Sequence, residues 1–156
     1  MKNMIIGIGI IVLAGLWYAF RPELLFVNKQ VNEQFPTGAQ VPSGPVALAK
    51  GNFKSLAHET KGLATIYKLA DDKQTLRLTE FETSNGPDVH VYLTAAEVEK
   101  GSDAIKTAGF IDLGSMKGNK GDQNYDIPAE VDLSKYKIVT IWCARFGVNF
   151  GIAPLS

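Results

Sequence analysis

The chemistry available to this sequence centres on one thiol. Cys143 is the only cysteine among 156 residues, so it cannot form a disulfide within the chain. Its side chain could fill a gap in the core as a small apolar group, or its thiolate could act in redox or nucleophilic chemistry. Arg145 can share a strand face with Cys143 and would favour the thiolate, whereas Trp142 indicates an apolar setting. The reactivity of the thiol therefore stays open at this point.

The two histidines are the groups that could work with this thiol. His58 could act as a base between Cys143 and Asp88 in a nucleophilic Cys-His-Asp set, but no known catalytic motif surrounds the cysteine. The two histidines and the cysteine could also bind a soft metal. Their spacing does not support such a site, and we predict no metal. The pattern around His90 is typical of an exposed histidine on a strand.

Charge and motif content argue against several functional classes. Sixteen basic and sixteen acidic side chains cancel, and the isoelectric point is near 6.7, so no nucleic-acid partner is expected. The glycine-rich segment 114–121 lacks the spacing of a phosphate-binding loop and is predicted to be a flexible loop. The Cys-x-x-Cys-His motif of haem attachment is absent. The sequence therefore identifies no cofactor.

The N-terminus has the composition of a membrane segment. No charged residue occurs from Met4 to Phe20, and a helix of that length spans roughly 26 Å, near the lower limit for a hydrocarbon core of about 30 Å. Trp17 and Tyr18 at the far end suit the headgroup region. We predict an uncleaved transmembrane signal-anchor over residues 1–22, with the rest of the chain extracytoplasmic, in the periplasm or on the cell surface.

Composition divides the remainder into a tether and a domain. Residues 23–49 are rich in Asn, Gln, Pro, Gly and Ser, which favours a linker. From residue 50 to 156, short apolar runs alternate with turn residues, as in an all-β antiparallel sandwich or a jelly-roll-like barrel. Asp71-Asp72-Lys73 lies between two such runs and predicts a hairpin. Segment 95–101 is expected to form one or two helical turns.

The elements around Cys143 can be placed from their patterns. Gly86-Pro87-Asp88 predicts a turn that introduces a strand through Val89 and Val91. Segment 138–142 is apolar throughout, which indicates a strand covered on both faces. Segment 146–152 alternates and should bury one face only. These patterns place Cys143 at the junction of two central strands, on the opposite face from Trp142.

Several motifs between Val46 and Ser156 give the chain a family likeness. They are Gly51-Asn52-Phe53, His58, Gly62, Phe81, Gly86-Pro87-Asp88, Tyr125-Asp126-Ile127-Pro128, Trp142-Cys143, Phe146, and Val148-Asn149-Phe150-Gly151. Through these residues the chain resembles the DM-thirteen domain, an electron-transfer module that is also found in Skeletor-type proteins and beside DOMON and cytochrome b-type domains.

The resemblance implies an extracytoplasmic β-sandwich in which a single cysteine acts in redox transfer. That role falls on Cys143, and the likeness also favours His58 and Asp88. From its position near the cysteine, we expect Arg145 to modulate the thiol. The chain carries no DOMON or cytochrome partner, so electrons would pass to a separate redox protein. The alternative is a binding module with a structural cysteine, in which Tyr92, Tyr125 and the 114–121 loop contact a ligand or another protein.

Overall fold

The computed structural model describes residues 2–20, 27–36, 45–98 and 101–156. Helix α1 spans Lys2–Phe20, and the large apolar side chains along it are exposed. Within the described ranges, no helix combines the length and the apolar character needed to cross a membrane. This finding does not support the predicted transmembrane signal-anchor.

The strands after residue 45 form two antiparallel sheets. One sheet has the strand order β1-β3-β4-β7 and the other the order β2-β9-β8-β5-β6. The predicted all-β antiparallel sandwich is therefore confirmed. The elements are β1 (Val46–Asn52), β2 (Lys54–Ser55), β3 (Lys61–Lys68), β4 (Gln74–Glu82), β5 (Val89–Thr94), α2 (Ser102–Ala108), β6 (Phe110–Ser115), β7 (Gln123–Ile127), β8 (Ile138–Cys143) and β9 (Val148–Pro154).

The facing sides of the two sheets enclose one apolar core. Ile66 and Leu76 from the four-stranded sheet meet Val91 and Ile141 from the five-stranded sheet in this core, and all four are fully buried. Burial of a side chain of this size contributes about 1.5 to 3 kcal/mol. Every second side chain of β7 is buried, whereas β8 and β9 are buried along most of their length. The prediction that segment 146–152 buries one face only is therefore wrong, because both faces of β9 are covered.

The predicted hairpin and the predicted central strand are both confirmed. Strands β3 and β4 pair in antiparallel register across the turn that contains Asp72, whose φ is 64°. Strand β8 is buried on both faces because Trp142 packs with Tyr92 and Ile105 in a second apolar cluster outside the main core. The predicted helix at 95–101 is misplaced, since α2 begins only at Ser102.

Part of the predicted linker is attached to the sandwich. Residues 27–36, here called the docked segment, lie along the glycine-rich loop, where Val31 N donates to Lys120 O at 2.9 Å and Glu33 N donates to Asp122 O at 2.9 Å. Gly121 has φ 96°, and a Cβ there would overlap the carbonyl oxygen of Val31. The loop therefore needs glycine so that the docked segment can approach.

Glu33 anchors the docked segment through its carboxylate. It accepts hydrogen bonds from Lys117 Nζ at 2.8 Å and from Asn124 N at 2.7 Å. Burial raises the pKa of Glu33, but the hydrogen bonds and the positive charges of Lys117 and Arg77 outweigh it, so the net pKa lies below the ordinary value of 4.5. A lowered pKa means that the contact stabilises the fold at neutral pH and that this stabilisation is lost as pH falls below about 4.5.

We predict that Glu33→Gln releases the docked segment. The variant lacks the charge that holds Lys117, so the amides of Val31 and Glu33 should exchange hydrogen about three to ten times faster at pH 7. The wild-type rate should approach that of the variant as pH falls below about 4.5. Glu130→Gln, at an exposed position, is the matched control. Equal exchange in Glu33→Gln and wild type at pH 7 would contradict this account.

Candidate functional site

Cys143 is the last residue of β8 and is 1% exposed. It pairs with Val89 of β5 and Val148 of β9, and its side chain belongs to the main core. Trp142 belongs to the outer cluster, which confirms the prediction that the two side chains occupy opposite faces. The sulfur therefore sits inside the sandwich at one end of its central strand.

A tight turn closes over this end of β8. Residues 144–147 join β8 to β9, and Gly147 N donates to Cys143 O at 2.9 Å. Gly147 has φ 61°, a left-handed conformation that glycine adopts without strain. The turn directs the backbone N–H groups of Phe146 and Arg145 towards the Cys143 sulfur, and the N–H of Asp88 faces it as well.

Opposing influences act on the ionisation of the thiol. Burial raises the pKa of Cys143 above its ordinary value of 9.0, and this is the largest effect. The N–H groups of Phe146, Arg145 and Asp88 lower the pKa, while the Asp88 carboxylate raises it. The net pKa is raised, so the folded protein holds a neutral thiol at physiological pH. The amide donors reduce the cost of any negative charge that develops on the sulfur.

Arg145 does not lie on the strand face that the sequence pattern predicts. We expected it to share a strand face with Cys143, but β8 ends at Cys143 and Arg145 is an exposed residue of the following turn. This expectation is wrong because the turn breaks the alternation of the strand. The backbone N–H of Arg145 is the group that faces the sulfur.

The His58 ring contacts Phe150. His58 follows β2, and its half-buried ring packs on Phe150 with 3.9 Å between the ring centroids. Burial lowers its pKa below the ordinary value of 6.5. Among the hydrogen bonds of the described residues, none joins His58 to Cys143 or to Asp88. The proposed Cys-His-Asp set is therefore not joined by hydrogen bonds in the described part of the chain.

Asp88 instead contacts His90. His90 Nε2 lies 3.2 Å from Asp88 Oδ1, and His90 Nδ1 lies 2.9 Å from Asp112 Oδ2. We expected an exposed His90 and gave no role to Asp112, but the His90 side chain is only 20% exposed. The alternation around His90 does predict its outward face, but its neighbour Asp112 depends on the pairing of β5 with β6, which also contains an irregularity. Among the described residues, no group of three ligand side chains is arranged to hold a metal ion.

The two tyrosines that were expected to contact a ligand in a binding module are buried. Tyr92 is 5% exposed and Tyr125 is 3% exposed, and the Tyr125 hydroxyl donates to Gln123 Oε1 at 2.8 Å inside the fold. The docked segment covers the glycine-rich loop. Surface cavities of about 190 and 410 Å³ lie by Lys120 and by Lys50, away from Cys143. This arrangement does not favour the binding alternative.

Fold and site together define a small antiparallel β-sandwich domain with one buried cysteine at the end of its central strand. Residues 52–155 match the sequence model of the family described as Electron transfer DM13. The chain belongs to this family, which confirms the resemblance inferred from its motifs. No curated protein and no solved structure matched the chain.

We predict that Gly147→Ala disturbs the sulfur site. A Cβ at this position would lie 2.9 Å from Ser102 Oγ, on a backbone with φ 61°, and the left-handed conformation costs about 1 to 2 kcal/mol for a residue other than glycine. Relief of this strain should turn the amides of residues 145 and 146 away from the sulfur and raise the Cys143 pKa further. Thermal unfolding and a thiol titration measure the two effects.

The matched control is Gly114→Ala. Gly114 also has a positive φ, 116°, but a Cβ there meets no atom within 4 Å. Gly114→Ala should lower the melting temperature without changing the titration of the Cys143 thiol. A Gly147→Ala protein that titrates like wild type would show that the turn does not direct the amides.

Proposed function

We propose that this domain transfers single electrons and that the sulfur of Cys143 is its redox group. The observation that carries the proposal is the convergence of backbone N–H groups from Asp88, Arg145 and Phe146 on one buried sulfur. Fixed donors of this kind favour electron density on the atom that they face. The family to which the chain belongs is described as an electron-transfer family, which supports the same role.

The burial of Cys143 favours electron transfer over thiol exchange. Exchange requires the sulfur to attack another sulfur directly, and a side chain that is 1% exposed is blocked from such contact. An electron can tunnel through a few ångströms of protein without contact between the reacting groups. Burial also protects an oxidised sulfur from water and from other thiols.

The proposed step involves one electron and one proton. The Cys143 thiol gives an electron to a separate protein that carries a haem or a comparable one-electron metal centre, and the S–H proton passes to water. The products are a sulfur-centred radical and the reduced acceptor. An electron from a donor protein and a proton from water restore the thiol. Phe146, which is 49% exposed in the turn beside Cys143, offers an apolar contact for the partner.

We predict that Cys143 accounts for the fast oxidation of the full chain by hexachloroiridate(IV), a small one-electron acceptor. In stopped-flow absorbance, wild type should show a fast phase that consumes about one equivalent of oxidant, because the sulfur is the most readily oxidised group. Cys143→Ser should lose this phase and keep only the slower oxidation of tyrosine and tryptophan.

Val139→Ala is the matched control. Val139 lies on the same strand and in the same core as Cys143 and is 0% exposed, so its truncation should destabilise the fold by about 0.5 to 3 kcal/mol but leave the thiol intact. The fast phase should persist in this variant. A fast phase of unchanged size in Cys143→Ser would overturn the role proposed for the sulfur.

We further propose that α1 associates the protein with a membrane and that the sandwich lies on the extracytoplasmic side. The exposed apolar side chains of α1, including Ile8, Ile11 and Trp17, support membrane contact because they would otherwise face water. The full chain should float with phosphatidylcholine vesicles in a density gradient, and Ile8→Lys combined with Ile11→Lys should abolish flotation. Flotation that is unchanged in this double variant would contradict the proposal.

A further inference from the structure

The docked segment runs along the sandwich from one end towards the other. At its start, Val27 O accepts a hydrogen bond from Asn85 Nδ2 at 3.2 Å. Near its finish, the Phe35 ring lies 4.9 Å from the Tyr67 ring, edge to face. Asn85 follows β4, whereas Tyr67 pairs with Thr75 near the start of β4. The nine residues of β4 separate these two places by about 26 Å.

The start of the docked segment lies at the end of the sandwich that holds Cys143. Asn85 precedes Asp88 by three residues, and the carbonyl oxygen of Asp88 accepts a hydrogen bond from Ala144 N at 2.8 Å, directly after Cys143. We call this the thiol end of the sandwich. The opposite end, formed by residues 69–73 between β3 and β4, is called the hairpin end. The docked segment therefore begins at the thiol end.

Chain length keeps the thiol end close to α1. Six residues, 21–26, connect Phe20 of α1 with Val27, and an extended chain of that length reaches at most about 25 Å. If the docked segment were released, the connection would run from Phe20 to Val46 of β1 and could reach roughly 90 Å. The docked segment therefore limits the distance between the thiol end and the membrane that α1 is proposed to contact.

The thiol end exposes apolar side chains. Val27 and Phe146 are both exposed, and Phe146 belongs to the turn that follows Cys143. Leu56 is exposed beside the start of β9, where its N–H donates to Phe150 O at 2.9 Å. Apolar side chains that enter the headgroup region of a bilayer leave water, and their burial is favourable. The thiol end is therefore suited to contact with lipid.

The hairpin end carries charged side chains instead. Lys68 Nζ pairs with Asp72 Oδ1 at 2.8 Å, and Lys73 Nζ pairs with Asp71 Oδ2 at 2.8 Å. Val46, which pairs with Lys68, is exposed beside these ion pairs. Removing charged groups from water costs free energy, so the hairpin end is less suited to lipid than the thiol end.

We infer that the thiol end rests against the lipid headgroups beside α1 and that the docked segment holds it there. Arg145, which is exposed in the turn after Cys143, suits lipid phosphates, while the Asp88 carboxylate lies 3.2 Å from His90 Nε2. The inference rests on the membrane association proposed for α1. It deepens the proposed function, because the redox partner must then reach Cys143 at the membrane surface.

The test compares exposed alanines at opposite ends of the sandwich. Ala57 N donates to Asn149 O at 3.1 Å at the thiol end, and Ala70 belongs to the hairpin end; both are exposed. In the full chain with Cys143→Ser, Ala57→Cys and Ala70→Cys each receive a bimane fluorophore. The proteins are bound to phosphatidylcholine vesicles that contain lipid with a nitroxide on its headgroup, which quenches at short range. The label at position 57 should lose most of its fluorescence, and the label at position 70 should keep most of it.

Gly118→Ala tests whether the docked segment holds this orientation. A Cβ at position 118 would lie 2.5 Å from Lys29 O and 2.8 Å from Val31 Cγ2, so the variant displaces the docked segment. Quenching at position 57 should then fall towards that at position 70. Gly114→Ala is the matched control, since a Cβ there meets no atom within 4 Å, and it should preserve the difference between the two labels.

Equal quenching of the two labels, or stronger quenching at position 70, would overturn the inference, as would a difference that Gly118→Ala leaves unchanged. Flotation is measured on the same samples. Proteins that do not float would refute both the membrane association of α1 and this inference, whereas floating proteins with equal quenching refute the orientation alone. If Cys143→Ser does not fold, the labels are placed in the chain that retains Cys143, because burial of that thiol blocks its labelling. No electron is transferred in this experiment, so its result is independent of the oxidation experiment.

Discussion

The structure around Cys143 depends on the hydrogen bond from Gly147 N to Cys143 O, which closes the turn between β8 and β9. This bond ends β8 at the cysteine and lets the chain reverse within four residues. Because the turn is short, the amides of Arg145 and Phe146 point back at the sulfur. The conformation needs a left-handed residue at position 147, where φ is 61°, and glycine adopts it without strain.

The pairing of β8 determines both the burial of the Cys143 thiol and its ionisation. Strand β8 pairs with β5 on one side and β9 on the other, and apolar residues cover both of its faces, so the sulfur is shielded from water. Shielding raises the Cys143 pKa and keeps the thiol neutral. The amide donors partly offset this effect without exposing the sulfur. A buried group with fixed donors can change its charge with little rearrangement of its surroundings.

Sequence patterns were sufficient for the sandwich and for the position of the cysteine. The continuous apolar run 138–142 predicted a doubly covered strand, and opposite parity placed Trp142 and Cys143 on different faces, as observed. These features follow from the two-residue period of a strand. The predicted placement of Arg145 was wrong because a turn interrupts the two-residue period after Cys143. In the turn, the backbone N–H of Arg145 faces the sulfur.

The contacts that join distant parts of the chain could not be predicted. His90 meets Asp112 across a strand pair with an irregular register, and His58 lies against Phe150 because β2 pairs with β9. Segment 27–36 has the composition of a tether, yet it docks on the sandwich through backbone hydrogen bonds that leave no mark in composition. Each case depends on tertiary pairing, and local periodicity carries no information about it.

The most direct test of the central claim is electron paramagnetic resonance of the full chain, frozen within milliseconds of oxidation by hexachloroiridate(IV). The account predicts a radical on the Cys143 sulfur, whose hyperfine splitting collapses when the chain is made with cysteine deuterated at Cβ. A radical whose spectrum is unaffected by deuterated cysteine, and changes instead with deuterated tyrosine or tryptophan, would contradict it.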